Sequence, residues 1–566
     1  MDAARQALVH AAGVTWQSLD SVLGGPARTR VIVILACILA LNSADTATVG
    51  ASAIELRAAL HISNADIGLL VAVTSIVGAV ASVPFGVLVD RVNRVRILAV
   101  TIALWGVAML ATATVTSFGE LLLLRLLLGG ITAASSPAVA SLVGDYFPGS
   151  ERGKIYGYVL AGELLGAGVG FAVTGDVAAL SWRAAFVILA LPTVALVWAV
   201  AHLPEPARGG ASQLAPGASR FVGRREAAQR LRQAAARRAA AQGAGPPGSG
   251  RYTTASAASS SFASTDGTGT DFGAEPGDDA EMGRTDAQRE AARRGVAPDP
   301  ALVLDQDPRG MGLLATVRYV LAVRTNVVLV VAGACGYFFL AGVETFGIEF
   351  VRGQYGISQI VANLLMLVVG VGAVSGVLVG GRLGDTLIRR HHLNGRVLVA
   401  VVASFCTLVL FVPAVLSHSS VTALPYIVVA AFMLTAQNPP MDAARLDIMP
   451  PLLWGRAEGI RSFFRTGAQA LAPLAFGGLA DLLGGGQHGL QVTFIVMLVP
   501  LGASAVILLR ALRTYPGDVA TAAVSGRPGA GGAPMGSRAT APQGPLPPTG
   551  PSQGPRPQGA APPVPM

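Results

Sequence analysis

Long apolar runs separated by short basic turns dominate this chain. A helix that crosses a bilayer needs about 20 mostly apolar residues, because lipid offers its backbone no hydrogen-bond partner. Twelve such runs can be drawn: residues 31–53, 67–89, 97–116, 119–142, 155–178 and 184–203, then 325–350, 359–383, 395–415, 421–446, 456–481 and 490–514. The pattern predicts an all-α membrane protein with twelve transmembrane helices in two six-helix bundles. The expected division is an N-terminal segment 1–30, a first bundle 31–204, a largely disordered linker 205–320, a second bundle 321–514 and a disordered Pro/Gly-rich tail 515–566.

The polar segments read differently from one another. Residues 1–30 carry a short apolar stripe, Leu8, Ala12, Trp16, Leu19 and Leu23, which suits an interfacial helix or a frayed leader. They lack a continuous apolar core, so no cleavable signal is expected there. The Arg/Ala stretch Ser219–Ala241 reads as a solvated linker or a basic helix on anionic lipid. Residues 243–285, rich in Gly, Ser, Thr and Asp, suit a flexible linker.

Composition sharpens the membrane reading. The chain is 52% hydrophobic and only 13% charged, against roughly 25% charged in a soluble domain. Its net charge of +9 comes almost wholly from arginine, Lys154 being the only lysine. The arginines fall between apolar runs, which argues for membrane topology and against a nucleic-acid partner. With the N-terminus in the cytoplasm, the short cytoplasmic loops hold Arg91, Arg94, Arg96, Arg152, Lys154, Arg382, Arg389, Arg390, Arg396 and Arg456. The opposite side holds Arg57, Arg183 and Arg352. The positive-inside rule favours this orientation, with both termini cytoplasmic in a bacterial cell membrane. Cys37, Cys335 and Cys406 sit singly in apolar runs and suggest neither a disulfide framework nor a metal site.

The two halves echo each other. Gly86, Asp90, Arg91 and Arg94 follow the second run, and Gly381, Asp385, Arg389 and Arg390 follow the eighth. Asp145, Pro148 and Arg152 find a counterpart in Asp447, Pro450 and Arg456. The spacings, 385 − 90 = 295 and 447 − 145 = 302, are nearly equal, as a duplicated unit requires. On these residues, with Arg125, Gly129 and Gly130 and with Trp182, Arg183 and Phe186, the sequence resembles the major facilitator superfamily. Within it the chain looks similar to Spinster-like lipid transporters, through Asn42, Asp45, Thr48 and Val49, through Gly166, Gly168 and Gly170, and through the run from Asn438 to Pro451. Thr132 departs from that subfamily, which carries a glutamate there. The resemblance implies that Gly86, Asp90, Arg91, Arg94, Gly381, Asp385 and Arg389 latch the cytoplasmic ends of the halves.

An ionisable side chain at bilayer depth costs a few kcal/mol or more and marks a functional candidate. From the rise per residue, Asp45 and Arg125 lie roughly 12 and 9 Å from the outer edge, so a charge pair is expected, facing the central cavity that helices one and four line by resemblance. Glu163, roughly 12 Å from the inner edge, is a second proton-coupling candidate, placed to supply the acid that Thr132 lacks. Asn42, Thr132, Glu344, Gln437 and Asn438 are candidates for the cavity wall, with Pro439 and Pro440 breaking the tenth helix.

No phosphate-binding loop or Ser/His/Asp constellation stands out, so an enzyme is not expected and no cofactor is implied. The expected partners are protons, the bilayer and a small-molecule or lipid substrate, with a monomer as the working state. The leading reading is a proton-coupled transporter of an amphipathic molecule. A drug or metabolite exporter is the alternative, although Gly166, Ala167 and Gly168 lack the proline typical of drug antiporters. A sensor or scaffold using the long linker and tail ranks last.

Overall fold

A computed structural model describes residues 20–62, 64–208, 285–304 and 307–525. Among the described residues, twelve long helices are present: α1 Pro26–Ala51, α2 Asn64–Arg91, α3 Arg94–Thr112, α4 Phe118–Tyr146, α5 Arg152–Leu180 and α6 Trp182–Ala201, then α7 Arg324–Tyr355, α8 Gln359–Arg389, α9 Gly395–Leu416, α10 Ser420–Ile448, α11 Trp454–Leu482 and α12 Gly486–Val524. Short breaks interrupt α4 at 133–134, α10 at Gln437 and α12 at Met497. Eleven of the twelve are long and apolar enough to cross a membrane. The exception is α11, whose first three turns hold Arg456, Glu458, Arg461 and Arg465.

The packing repeats. In the first half α1 packs on α5, α2 on α4 and α3 on α6; in the second α7 packs on α11, α8 on α10 and α9 on α12. The halves meet through α2 with α11 and α5 with α8, two crossings that exchange under a pseudo-twofold. Within lipid, close helix contact depends on small residues that let backbones approach. Gly162, Gly166 and Gly170, four residues apart on α5, lie against Ala36, Ala40 and Ala44 with the same spacing on α1.

Two expected boundaries shift. Residues 285–304, assigned above to a disordered linker, are ordered. A short helix Asp286–Arg293 starts on a capping box of Thr285 and Gln288 and buries Ala287 and Ala291. Gln288 donates to the Asp447 carbonyl at 3.1 Å, and Glu290 meets His391 at 3.1 Å. The order comes from docking on the second half, a signal absent from local composition. Likewise α12 runs through Pro516 to Val524 instead of ending at 514. Tyr515 donates to Asp447 at 2.7 Å, and Asp518 accepts from the first turn of α7, Thr325 N, at 2.8 Å. These contacts hold the helix past its proline. The greater part of the N-terminal stripe, Ser219–Ala241, nearly all of 243–285, and the tail beyond 525 lie outside the described residues.

Gly166→Leu should cost about 1–3 kcal/mol of stability through overpacking against α1. Gly168→Leu, which meets open space, should stay within about 0.5 kcal/mol. Thermal unfolding in detergent compares them. Ala291→Arg should unseat the linker helix, read as faster tryptic cleavage at Arg293 and Arg294. A hydrogen bond from Arg294, with help from His391, holds the Glu290 carboxyl below its usual range. That lowered pKa stabilises the docked form at neutral pH, and the contribution is lost as pH falls below the usual carboxylate range.

Candidate functional site in the charged layers between the halves

The arginine-rich end of the bundle is closed by two matching caps. Asp90, at the end of α2, accepts from Gly455 N at 3.0 Å and Arg456 N at 2.9 Å, the first turn of α11. Asp385, at the end of α8, accepts from Gly153 N at 3.2 Å and Lys154 N at 2.7 Å, the first turn of α5. A carboxylate at a helix start satisfies orphan N–H groups and meets the positive end of the helix dipole. Each cap therefore ties one half to the other. Gly86 and Gly381 make this possible: a Cβ at Gly86 would stand 2.7 Å from the Gly455 carbonyl, and Gly381 lies against the Gly153 backbone.

Buried arginines lie close to both caps. Arg94 pairs with Asp145 and also with Glu205 at 2.8 Å. Arg396 pairs with Asp385 at 2.7 Å and with Asp447. Arg389 reaches across the halves to the Ser150 carbonyl at 3.0 Å, whereas Arg91 donates to the Met311 carbonyl at 3.2 Å, in the segment leading to α7.

Deeper in, the second half presents a buried tetrad. Arg445 donates to Asp442 at 2.5 Å and to Glu458 at 2.7 Å, and Arg461 donates to Glu458 at 2.5 Å. Two cations balance two anions, as burial demands. Ser136, from α4 of the first half, donates to Glu458 at 2.8 Å. One further turn along, Arg465 of α11 donates to Glu163 of α5 at 2.6 Å. Its guanidinium lies over the Tyr337 ring, 4.4 Å from the centroid. Glu344 of α7 is exposed and within electrostatic reach of both Glu163 and Arg465. Both members of the pair stand 11 residues from their helix starts, roughly 16 Å in. Among the described residues, the hydrogen bonds joining the halves extend no farther from the arginine-rich end than this pair.

Asp45 and Arg125 do meet, at 2.9 Å. Their surroundings differ from the cavity wall expected for them. The pair is enclosed within the first half, 3% and 1% exposed. Trp105 of α3 donates to Asp45 at 3.3 Å, and the Phe186 ring of α6 lies 5.1 Å from the Arg125 guanidinium carbon. One turn away, Asn42, Thr132 and Ser135 line a chamber of about 10 Å³ with Trp105, about the size of one water. Thr132 donates to the Leu128 carbonyl at 3.0 Å. No hydrogen bond links Thr132 to Glu163 among the described residues.

The break in α10 also departs from expectation. Gln437 is buried, accepts from Ser404 at 2.5 Å and donates to the Leu434 carbonyl at 3.0 Å. Its polar atoms are spent inside the second half. Pro439 and Pro440 are buried at the start of a new helix, where a missing N–H costs nothing; Asn438 beside them is half-buried. Sequence reasoning missed Arg465, Trp105 and the tetrad. The signal was available: residues 456, 458, 461 and 465 are charged inside a predicted span.

The Major Facilitator Superfamily profile matches residues 35–424 and 329–543, more than half of the chain. The hexuronate transporter of Bacillus subtilis (strain 168) is 28% identical over 176 residues, 31% of this chain and 41% of that protein. Protein spinster of Drosophila melanogaster is 27% identical over 180 residues, 31% of this chain and 30% of that protein. The chain thus spans less than half the length of these curated relatives. The proton:xylose symporter XylE, bound to 6-bromo-6-deoxy-D-glucose, shares the fold with a TM-score of 0.56 at 14% identity, covering 87% of this chain and 96% of that one. With the profile running through both halves and the helices paired as a duplicated set, the chain, a multi-pass integral membrane protein, belongs to the Major Facilitator Superfamily.

Proposed function

We propose that the protein is a proton-coupled secondary transporter that moves an amphipathic organic molecule by alternating access, with its arginine-rich end in the cytoplasm. The observation that carries this reading is the Glu163–Arg465 pair. Each partner belongs to a different half, and both are partly exposed at 20% and 17%. Protonating Glu163 removes the attraction across the boundary, so proton binding and the separation of the halves become linked equilibria. Arg465 is then free to meet an acidic group on the cargo. The exposed apolar residues Phe463 and Phe464 precede it on α11, which suits a molecule with one charged end. Asp45 serves a different role in this reading. Its partner lies in the same half, so breaking that pair does not by itself move one half against the other.

A second reading, a smaller organic acid as cargo, draws on the same guanidinium and on the likeness to the hexuronate transporter. Uptake into liposomes across a panel of lysolipids and carboxylic acids, with and without a pH gradient, separates the two.

Glu163→Gln should abolish pH-driven uptake while keeping counterflow exchange of the same cargo. Full pH-driven uptake by this variant would sink the proposal and return attention to Asp45. Asp45→Asn should instead lower thermal stability by about 3–5 kcal/mol, because it leaves Arg125 buried without its counter-charge, and Arg125→Gln in the same chain should recover part of that loss. Asp90→Asn and Asp385→Asn should each loosen the closed end, at about 0.5–2 kcal/mol per cap. Spin-label distances between positions 96 and 390 should lengthen in both; unchanged distances would refute the latch.

A further inference from the structure

A groove of about 640 Å³ opens on the flank of the first half, away from the boundary between halves, walled by α1, α5 and α6. Its floor is the small-residue seam described above: Ala40, Ala44, Gly166 and Gly170 leave no side-chain bulk there. The groove starts at Arg30, one turn into α1 at the arginine-rich end, beside Trp198 in the last turn of α6. It ends beside Ala44, 14 residues along α1 from Arg30, or roughly 21 Å. One leaflet of hydrocarbon is about half of 30 Å thick. The groove therefore runs the depth of one leaflet and somewhat beyond.

Polarity is confined to the mouth. Arg30 is exposed and makes no ion pair among the described residues, whereas Arg28, two residues earlier, pairs with Glu151. Trp198 is 63% exposed and its ring packs 4.6 Å from that of His202, an aromatic placed where headgroups and acyl chains meet. An uncompensated cation over a long apolar channel matches one kind of occupant.

We propose that this groove binds one anionic phospholipid of the adjacent leaflet, its phosphate on Arg30 and an acyl chain lying along α1 and α5. The match is of length, of polarity and of charge. A basic side chain at the membrane surface adds about 1 kcal/mol of attraction to an anionic lipid, about a fivefold preference over a neutral one. The inner end of the chain then lies against Ala44, next to Asp45, and against Leu189, one turn from Phe186. An occupied groove thus supports the walls around the Asp45–Arg125 pair, and lipid binding stabilises the first half.

The test uses the full-length protein in a neutral detergent, with native mass spectrometry and thermal unfolding as readouts. Phosphatidylglycerol should bind as one retained molecule per chain and raise the unfolding temperature. Phosphatidylcholine should bind about fivefold more weakly, and glycerol 1-phosphate should do neither. Arg30→Gln should bring phosphatidylglycerol down to the phosphatidylcholine level. Ala195→Trp, which fills the exposed α6 wall of the groove, should lose the retained lipid; Ala199→Leu is a milder version should the tryptophan variant fail to fold. Equal binding of both lipids to the native chain, or a retained lipid in both groove-filling variants, would overturn the proposal. Stabilisation by glycerol 1-phosphate alone would overturn it as well, by showing a free-phosphate site.

Discussion

Two carboxylates, Asp90 and Asp385, each hold the first turn of a helix that belongs to the opposite half. Everything nearer the arginine-rich end depends on that exchange. A cap needs its acceptor within about 3 Å of the N–H groups, so the backbones must nearly touch. This is why the crossings of α2 with α11 and of α5 with α8 are lined by Gly86, Gly455 and Gly459, and by Gly381, Gly153 and Gly157. A side chain at any of these positions moves the helix away and leaves its N–H groups without a partner. Arg456, 3.6 Å from Asp90, and Arg396, 2.7 Å from Asp385, then limit where each carboxylate can point. The closed end is one cooperative unit, in which glycine sets the distance, aspartate supplies the bond and arginine sets the aim.

The layers above it are electrostatic in another sense. Buried ion pairs add little net stability, since desolvation offsets most of their attraction, but breaking one by removing a partner is costly. The tetrad of Asp442, Arg445, Glu458 and Arg461 pairs its charges within the second half and takes a hydrogen bond from Ser136 of the first. It can move as part of a rigid body without leaving a charge uncompensated. The Glu163–Arg465 pair has no such freedom, because separating the halves separates its charges. Polar contact between the halves thus passes from the carboxylate caps, with Arg456 3.6 Å from Asp90, through Ser82 and Ser136 to the Glu163–Arg465 pair at mid-depth.

Much of this was legible in the sequence. The helices follow from apolar runs, and the two caps fall where a duplicated pattern sets Gly four residues before Asp, positions that the family resemblance had singled out. Asp45 and Arg125 could be matched because both are charged at similar depth. Pairing across the boundary was not legible, since Glu163 and Arg465 are 302 residues apart and nothing local ties them. The linker helix was hidden for a related reason: its two buried alanines carry little signal, and its order is conferred by the surface it docks on. Pro516 misled in the opposite direction, because tertiary contacts from Tyr515 and Asp518 override a local helix breaker. Gln437 was read as cavity-facing from its polarity, yet Ser404 and a backbone carbonyl satisfy it within the bundle.

The duplication also shows where the halves have parted. Applying the spacing of the repeated aspartates, 45 + 295 = 340 and 45 + 302 = 347, the counterpart of Asp45 falls between Leu340 and Gly347 on α7. That stretch contains Glu344 and Phe346, and beside it Phe339 packs edge-on against Phe411 at 4.9 Å and near Phe476. The second half thus sets phenylalanine rings and the exposed carboxylate of Glu344 where the first half has an enclosed charge pair. An aromatic cluster is apolar and insensitive to pH, whereas a carboxylate in the same place must keep its counter-charge or lose its own. The second half instead carries its charges on the inner turns of α10 and α11, turned toward the boundary. Both halves therefore bury their charges, the first in a pair beside aromatic rings and the second in a tetrad that meets Ser136 at the boundary. Two halves with matching helix pairings thus carry different charges, and Glu163 of the first meets Arg465 of the second across the boundary.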